Sequence, residues 1–286
     1  MTGEIQTNLN NGKNQDSRFN VRGFPWWLVA IIGFLLLMLL LIITDPDYNR
    51  AFNFIKGSFG GIEGFQKGGL AGFIGTGITI TIYITLVAFA IALIIGLLAG
   101  LGRVSTNVFV RNIAITYIEF IRGVPTLVLI FTVAYVIVPS VSDALGISAQ
   151  SISLNVRGIT ALAVIYGAFL AEVFRAGIES VPAGQTEAAR SLGLNGGQAM
   201  RHVVLPQAVR NVLPALGNDF IAMLKDSSLI SVLAVRDITQ MARLHAGSTF
   251  RFRESYLVLT FLYLSMTIAL SLFLRWYEKR LRQNAR

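Results

Sequence analysis

Asn218, Asp219, Lys225, Asp226, Ser227 and Ser228 bring polar groups into an otherwise apolar stretch. At the centre of a bilayer each charge costs about 2.5–3.5 kcal/mol on insertion scales. Such groups must therefore face protein or a water-filled cavity, not lipid. A carboxylate beside an ammonium and two hydroxyls can hold a small charged solute, and a helix interrupted midway would add backbone donors and acceptors. Lys225, Asp226, Ser227 and Ser228 are the candidate solute-binding residues; a buried Lys225–Asp pair that only fixes helix packing is the structural alternative. Glu119 with Arg122, and Glu172 with Arg175, lie three residues apart at the edges of apolar runs, a spacing that closes ion pairs on one helix face. Both read as structural pairs near the water boundary. Bond-making chemistry has little to work with. Cysteine is absent and His202 and His245 are the only histidines, so neither a metal centre nor a nucleophile–base pair is expected. The sequence also lacks a G-x-x-x-x-G-K-[ST] phosphate loop and is not expected to hydrolyse ATP by itself.

A second polar stretch lies between apolar segments, EAARSLGLNGGQAMRHVVLP at 187–206. Glu187 and Arg190 can pair on a helix face, while Ala188, Ala189 and Leu192 make a small apolar one. Gly193, Gly196 and Gly197 can separate one helix from the next, Asn195 can cap the second, and Pro206 suits the first turn of a following helix. The expectation is two short exposed helices at an angle, with a small-residue surface suited to a groove. An ordinary amphipathic connection would use the same pattern.

These residues need long apolar elements around them. Of 286 residues 54% are apolar and only 14% charged, against about 25% charged in a soluble domain. A membrane protein follows, and the +9 net charge sits between and beyond the apolar runs, as membrane flanks do, which disfavours nucleic acid. Trp26–Thr44 is long enough to cross a hydrocarbon core of about 30 Å, with Trp26 and Trp27 at its interface. It lacks a small-x-small cleavage site and reads as a retained anchor. Further spans are expected near 76–101, 113–139, 158–174, 212–235 and 256–276, with a polar tail at 1–24 and a glycine-rich loop at 45–70. With the N-terminus cytoplasmic, fourteen Lys and Arg fall on inner flanks against seven on outer ones, Arg157 lying at a boundary. Both termini and the 187–206 loop are then cytoplasmic. Gly96 and Gly100 allow a close helix approach, with no dimer interface assigned to them.

The spacing of the polar loop (Glu-Ala-Ala, three residues, Gly193, nine residues, Val203, one residue, Leu205-Pro206) resembles the EAA loop of bacterial ABC importer permeases. It departs only at Val203, where that family usually has isoleucine. YIEFIRGVP at 117–125, GAFLAEVFRAG at 167–177, VPAGQTE at 181–187 and LKDSSL at 224–229 resemble the polar amino acid branch (histidine, glutamine or arginine type). The resemblance implies an all-α integral membrane protein of about six transmembrane helices. A five-helix permease core at 71–280, holding a coupling loop at 184–207, would follow an extra N-terminal helix at 25–45. It implies that Glu187, Ala188, Ala189, Arg190, Gly193, Leu205 and Pro206 dock on a separate ATPase subunit carrying ATP and Mg. A second permease subunit, an extracytoplasmic solute-binding protein and an amino acid substrate are the other implied partners, in a bacterial cytoplasmic (inner) membrane. The chain itself would be a translocation subunit, with no catalytic residues. Leu129 stands where the family carries a glutamine, which implies either a less polar solute or reliance on a partner's copy of the site. His245, Arg243 and Arg251 are candidates for meeting an acidic face of the binding protein. The alternative is an ion-coupled secondary transporter using Asp219, Lys225 and Asp226 as a relay; such proteins usually show repeated halves, and none is evident here.

Overall fold

The structure is a computed structural model, which describes residues 26–58 and 75–283. The 1–24 tail and residues 59–74, including the start of the 71–280 unit, lie outside the described residues. Among the described residues the secondary structure is helical, apart from an isolated parallel bridge between Gly77 and Asp237.

Helix α1 (Trp26–Thr44) is apolar on all sides. It buries Met38 and Ile42 and leaves Leu36, Leu37, Leu40 and Ile43 exposed, as a lipid-facing helix does. Asp45 then caps α2 (Pro46–Ile55), accepting from the Asp47 amide at 2.8 Å, with Pro46 in the first turn. The two helices meet at a bend of 103°. The loop expected from Asp45 onward is therefore corrected: its first part is an amphipathic helix that buries Tyr48, Ala51 and Ile55. Its ten residues are too few for a periodic signal to stand out against Asp47, Arg50 and the asparagines.

Helix α3 (Ile78–Arg103) crosses α7 (Leu154–Glu179), the most buried of the long helices. Glycine makes that crossing close. A Cβ on Gly96 would fall 2.6 Å from Leu170 Cβ, and one on Gly100 would fall 2.9 Å from Ala171 O. The Gly96–Gly100 pair thus serves contact within the chain.

The helix expected over 113–139 divides in two. Helix α4 (Val108–Gly123), capped by Asn107, stops at Val124, which is extended before Pro125. Helix α5 (Thr126–Thr132) passes through a π turn (Val133–Ile137) into α6 (Val138–Ala144), and together they make an apolar span of 19 residues. Arg157 from α7 donates to Ala134 O at 3.2 Å and Ala149 O at 2.7 Å, tying this span to the start of its neighbour.

Beyond α7 come α8 (Ala183–Ser191) and α9 (Gly196–Ala199), the latter running through a π turn (Met200–Val204) into α10 (Leu205–Asp226). A 3₁₀ segment (Ser227–Leu233), α11 (Ile238–Thr249) and the long α12 (Phe252–Gln283) complete the chain. The main core gathers around α7, with Leu162, Ile165 and Leu170 fully buried. A separate core joins α1 and α2 to α11 and α12 through Ile55, Ile238, Ala242 and Val258.

Among the described residues, four helical stretches are long and apolar enough to cross a membrane, and five if the bent α1–α2 pair counts as one. Helix α10 has the length, 22 residues, but its polar residues keep it out of that count. A six-crossing arrangement with α10 included is a proposal.

Candidate functional site

At one end of the bundle the polar loop folds as two short helices. Their anchor is small and apolar: Ala189 and Ala199 are buried, over a cluster of Ile178, Val181, Val204 and Ala208. Gly193 takes φ +87°, and the Gly193 and Leu194 amides close the end of α8 on Arg190 O and Ala189 O at 2.9 and 3.2 Å. Asn195 and Gln198 then form a reciprocal capping box that starts α9. Pro206 lies in the first turn of α10. Glu187, Ala188, Arg190 and Pro206 are exposed, Leu205 is half-buried, and Leu192 is 83% exposed. The expected Glu187–Arg190 pair is corrected, since neither side chain makes an ion pair with a described residue. Both project outward and are free for a surface laid against them.

Near the other end of α10 the polar cluster departs from expectation. The helix is not opened midway: it runs to Asp226 and tightens into 3₁₀ geometry, closed by Ala234 at φ +60°. Lys225 is exposed and pairs with neither aspartate, which corrects the alternative of a buried Lys225–Asp pair. Asp226 Oδ2 instead accepts from Tyr166 Oη of α7 at 2.8 Å. Ser227 is buried and donates to Leu224 O at 2.7 Å, whereas Ser228 is half-buried. Asp219 Oδ2 is buried without a hydrogen-bond partner among the described residues. Tyr166 escaped sequence reasoning because a tyrosine in an apolar helix reads as core; its place on the same helix as Glu172 was the signal available.

A third group joins α3, α4 and α7 near the α8–α9 end. Arg103 lies 3.4 Å from Glu119 and 3.0 Å from Glu172 Oε1, although the latter contact lacks hydrogen-bond geometry. Arg175 bonds Glu172 Oε2 at 3.0 Å and also pairs with Glu179. The Glu119–Arg122 pair is thus corrected: Glu119 finds Arg103 across the α3–α4 crossing, and Arg122 makes no ion pair with a described residue. Below this network Glu172, Arg175, Ser180 and Asn211 line an open cavity of about 740 Å³ between α7 and α10.

The basic candidates at the α11 end also change. His245 is buried, bonds Ser255 Oγ at 2.8 Å and packs at a tilt against Phe54, with ring centroids 5.4 Å apart. Burial lowers its pKa against the opposing pull of Glu254. Arg251 pairs with Asp47 of α2. Neither is available for a docking partner as the sequence suggested, although Arg243 remains exposed. His202 is exposed in the π turn that precedes α10.

Long apolar helices and a looped-out helical pair at one end are the frame of a membrane protein with an exposed contact loop. The chain belongs to the family of binding-protein-dependent transport system inner membrane components, whose pattern covers residues 92–283. The probable glutamine ABC transporter permease protein GlnM of Bacillus subtilis (strain 168) is 37% identical over 205 residues, 71% of this chain and 91% of that protein. The histidine/lysine/arginine/ornithine transport system permease protein HisQ of Escherichia coli (strain K12) is 33% identical over 215 residues, covering 74% and 94% respectively. Among solved structures, an amino acid ABC transporter with histidines aligns at TM-score 0.62 and 38% identity, over 71% of this chain and 92% of that one.

Proposed function

We propose that this chain is the membrane-spanning subunit of an ATP-driven amino acid importer and forms a translocation path with a second permease subunit of the same or homologous sequence. The observation that carries the reading is the polar loop. Its two helices are exposed, capped independently of any partner, and joined through a π turn to α10, which bears Asp219 and Asp226. Force applied to α8 and α9 therefore has a continuous helical route to polar groups inside the bundle. Nucleotide and Mg belong to partner ATPase subunits seated under Glu187, Ala188, Arg190, Gly193, Leu205 and Pro206; Ala189, expected in that surface, is buried and anchors the loop from within the chain. Closure of those subunits moves the two loops together and turns the cavity outward; hydrolysis restores it. An extracytoplasmic binding protein delivers the solute. Both termini and the loop are cytoplasmic in this arrangement, and α1 is an added crossing beside the five-helix core.

Lys225, Asp226 and Ser228 form the solute site near the α11 end, with Asp226 oriented by Tyr166; Ser227, expected in that site, is buried with its hydroxyl held on Leu224 O. An exposed ammonium and an oriented carboxylate are complementary to the two charges of an amino acid. For the ion-coupled alternative, Asp219, Lys225 and Asp226 make no ion pair with one another through which a relay would run.

Glu187→Lys tests the docking. The variant inserts and keeps its helical content, since Glu187 has no ion partner within the chain, but it loses uptake or ATPase co-purification. Full uptake with a bound ATPase would remove the loop from its role. Amino acid uptake by the chain alone under an ion gradient would favour the secondary transporter instead.

A further inference from the structure

We infer that the cavity between α7 and α10 is a second amino acid station, separate from Asp226 and close to the coupling loop; the inference rests on the importer reading above. Its volume, about 740 Å³, lies within the range of small-molecule sites. Its polar lining carries both charges of a zwitterion: the Glu172 carboxylate and the Arg175 guanidinium, with Ser180 and Asn211 alongside.

The ion network explains how such a site opens at little electrostatic cost. Each of the two charged residues has a spare partner. Glu172 meets Arg103 through Oε1 and Arg175 through Oε2, whereas Arg175 holds both Glu172 and Glu179. A zwitterion can part Glu172 from Arg175 and replace each lost contact, its ammonium on Glu172 and its carboxylate on Arg175. Glu172 then keeps Arg103, and Arg175 keeps Glu179. No net charge is added, and neither Glu172 nor Arg175 is left without an opposite charge. Asn211 Nδ2 donates to Ser180 Oγ at 2.9 Å and Ser180 donates on to Gly177 O, which leaves the Asn211 amide oxygen free for an ammonium.

A route from the outer site is also present. On α10, Asn211, Asn218 and Lys225 recur at seven-residue spacing and are all exposed, so they stand along one helix face. A helix carrying that face through a bilayer must turn it toward water or protein.

The absence of cysteine makes the test direct. Ala176→Cys places one thiol on the cavity wall without altering a polar contact. In the complete assembly, reconstituted into vesicles, a charged thiol reagent on the loop side labels this position, whereas Leu98→Cys, on a 65% exposed apolar face, is not labelled. L-histidine, L-glutamine and L-arginine are the probes. At least one slows labelling several-fold, and its decarboxylated analogue does not. Arg175→Gln abolishes this protection, Arg175→Lys restores part of it, and Asp226→Asn leaves it intact. Labelling that ignores every amino acid, in vesicles that still take one up, overturns the inner station while sparing the importer. Protection lost equally in Asp226→Asn would mean a single site, which also overturns it. If none of the three amino acids is taken up, the amino acid importer reading fails first.

Discussion

Asp226 owes its orientation to a residue sixty positions away. Tyr166 Oη donates to it at 2.8 Å, and a hydrogen bond to a charged group contributes about 1.5–3 kcal/mol. Tyr166→Phe is therefore expected to weaken the apparent affinity for solute about tenfold, equivalent to ~1.4 kcal/mol, with assembly unchanged; concentration-dependent uptake measures it. An unaltered half-saturating concentration would confine Tyr166 to packing. Asp226→Asn should act on the same parameter, and the double variant should fall short of the sum, because residues sharing one bond are not additive. At this scale the sequence was legible where partners are near in the chain. Asn195 and Gln198 cap α9 as their spacing suggests, and Glu172 bonds Arg175 at i,i+3. It was illegible where the fold brings distant residues together, as for Arg103 with Glu119 and Glu172. Glu119 and Glu187 also show that a favourable i,i+3 spacing only permits a pair, since surface pairs gain little over solvation.

Among the elements, α3 and α7 cross closely, because Gly96, Gly100 and Gly167 leave no room for a side chain. Gly96→Leu would drive methyl groups into Leu170 and the α7 backbone. The expected cost is about 1–3 kcal/mol or more, seen as a lower unfolding midpoint in detergent and poor assembly. Leu98→Ala, on the exposed side of the same helix, should change little. A Gly96→Leu chain of ordinary stability would show that the helices can separate freely. The long apolar helices were readable from composition, but their interruptions were not. Pro125 announced a break that the continuous hydropathy of 113–139 concealed, and the π turns at Val133–Ile137 and Met200–Val204 leave no mark in residue type. A span was expected at 212–235, but the polar residues of α10 keep it out of the helices apolar enough to cross a membrane.

For the molecule as a whole, α1 and α2 form a unit ahead of the family region at 92–283. They are knitted in firmly. Ile78 donates its amide to Lys56 O at 3.0 Å, and Asp47 pairs with Arg251. Ala51 is fully buried against the α11–α12 side. Ala51→Arg should therefore loosen α2 and expose Arg251 and the α11–α12 turn to protease, leaving α8 and α9 unaffected; limited proteolysis of the purified protein reads this. Equal cleavage of both proteins would make α2 a passive appendage.

The passage from α9 through the π turn into α10 has a mechanical corollary. Helices α3 and α7 are interlocked like the fixed housing of a motor, whereas α10, which leans on α7 at Gly177, has an exposed helical pair at one end and Asp226 at the other. Torque on that pair would turn the shaft within its casing and carry Asn211, Asn218 and Lys225 around together, so that access at both mouths would be reset by one rotation and not by two separate doors.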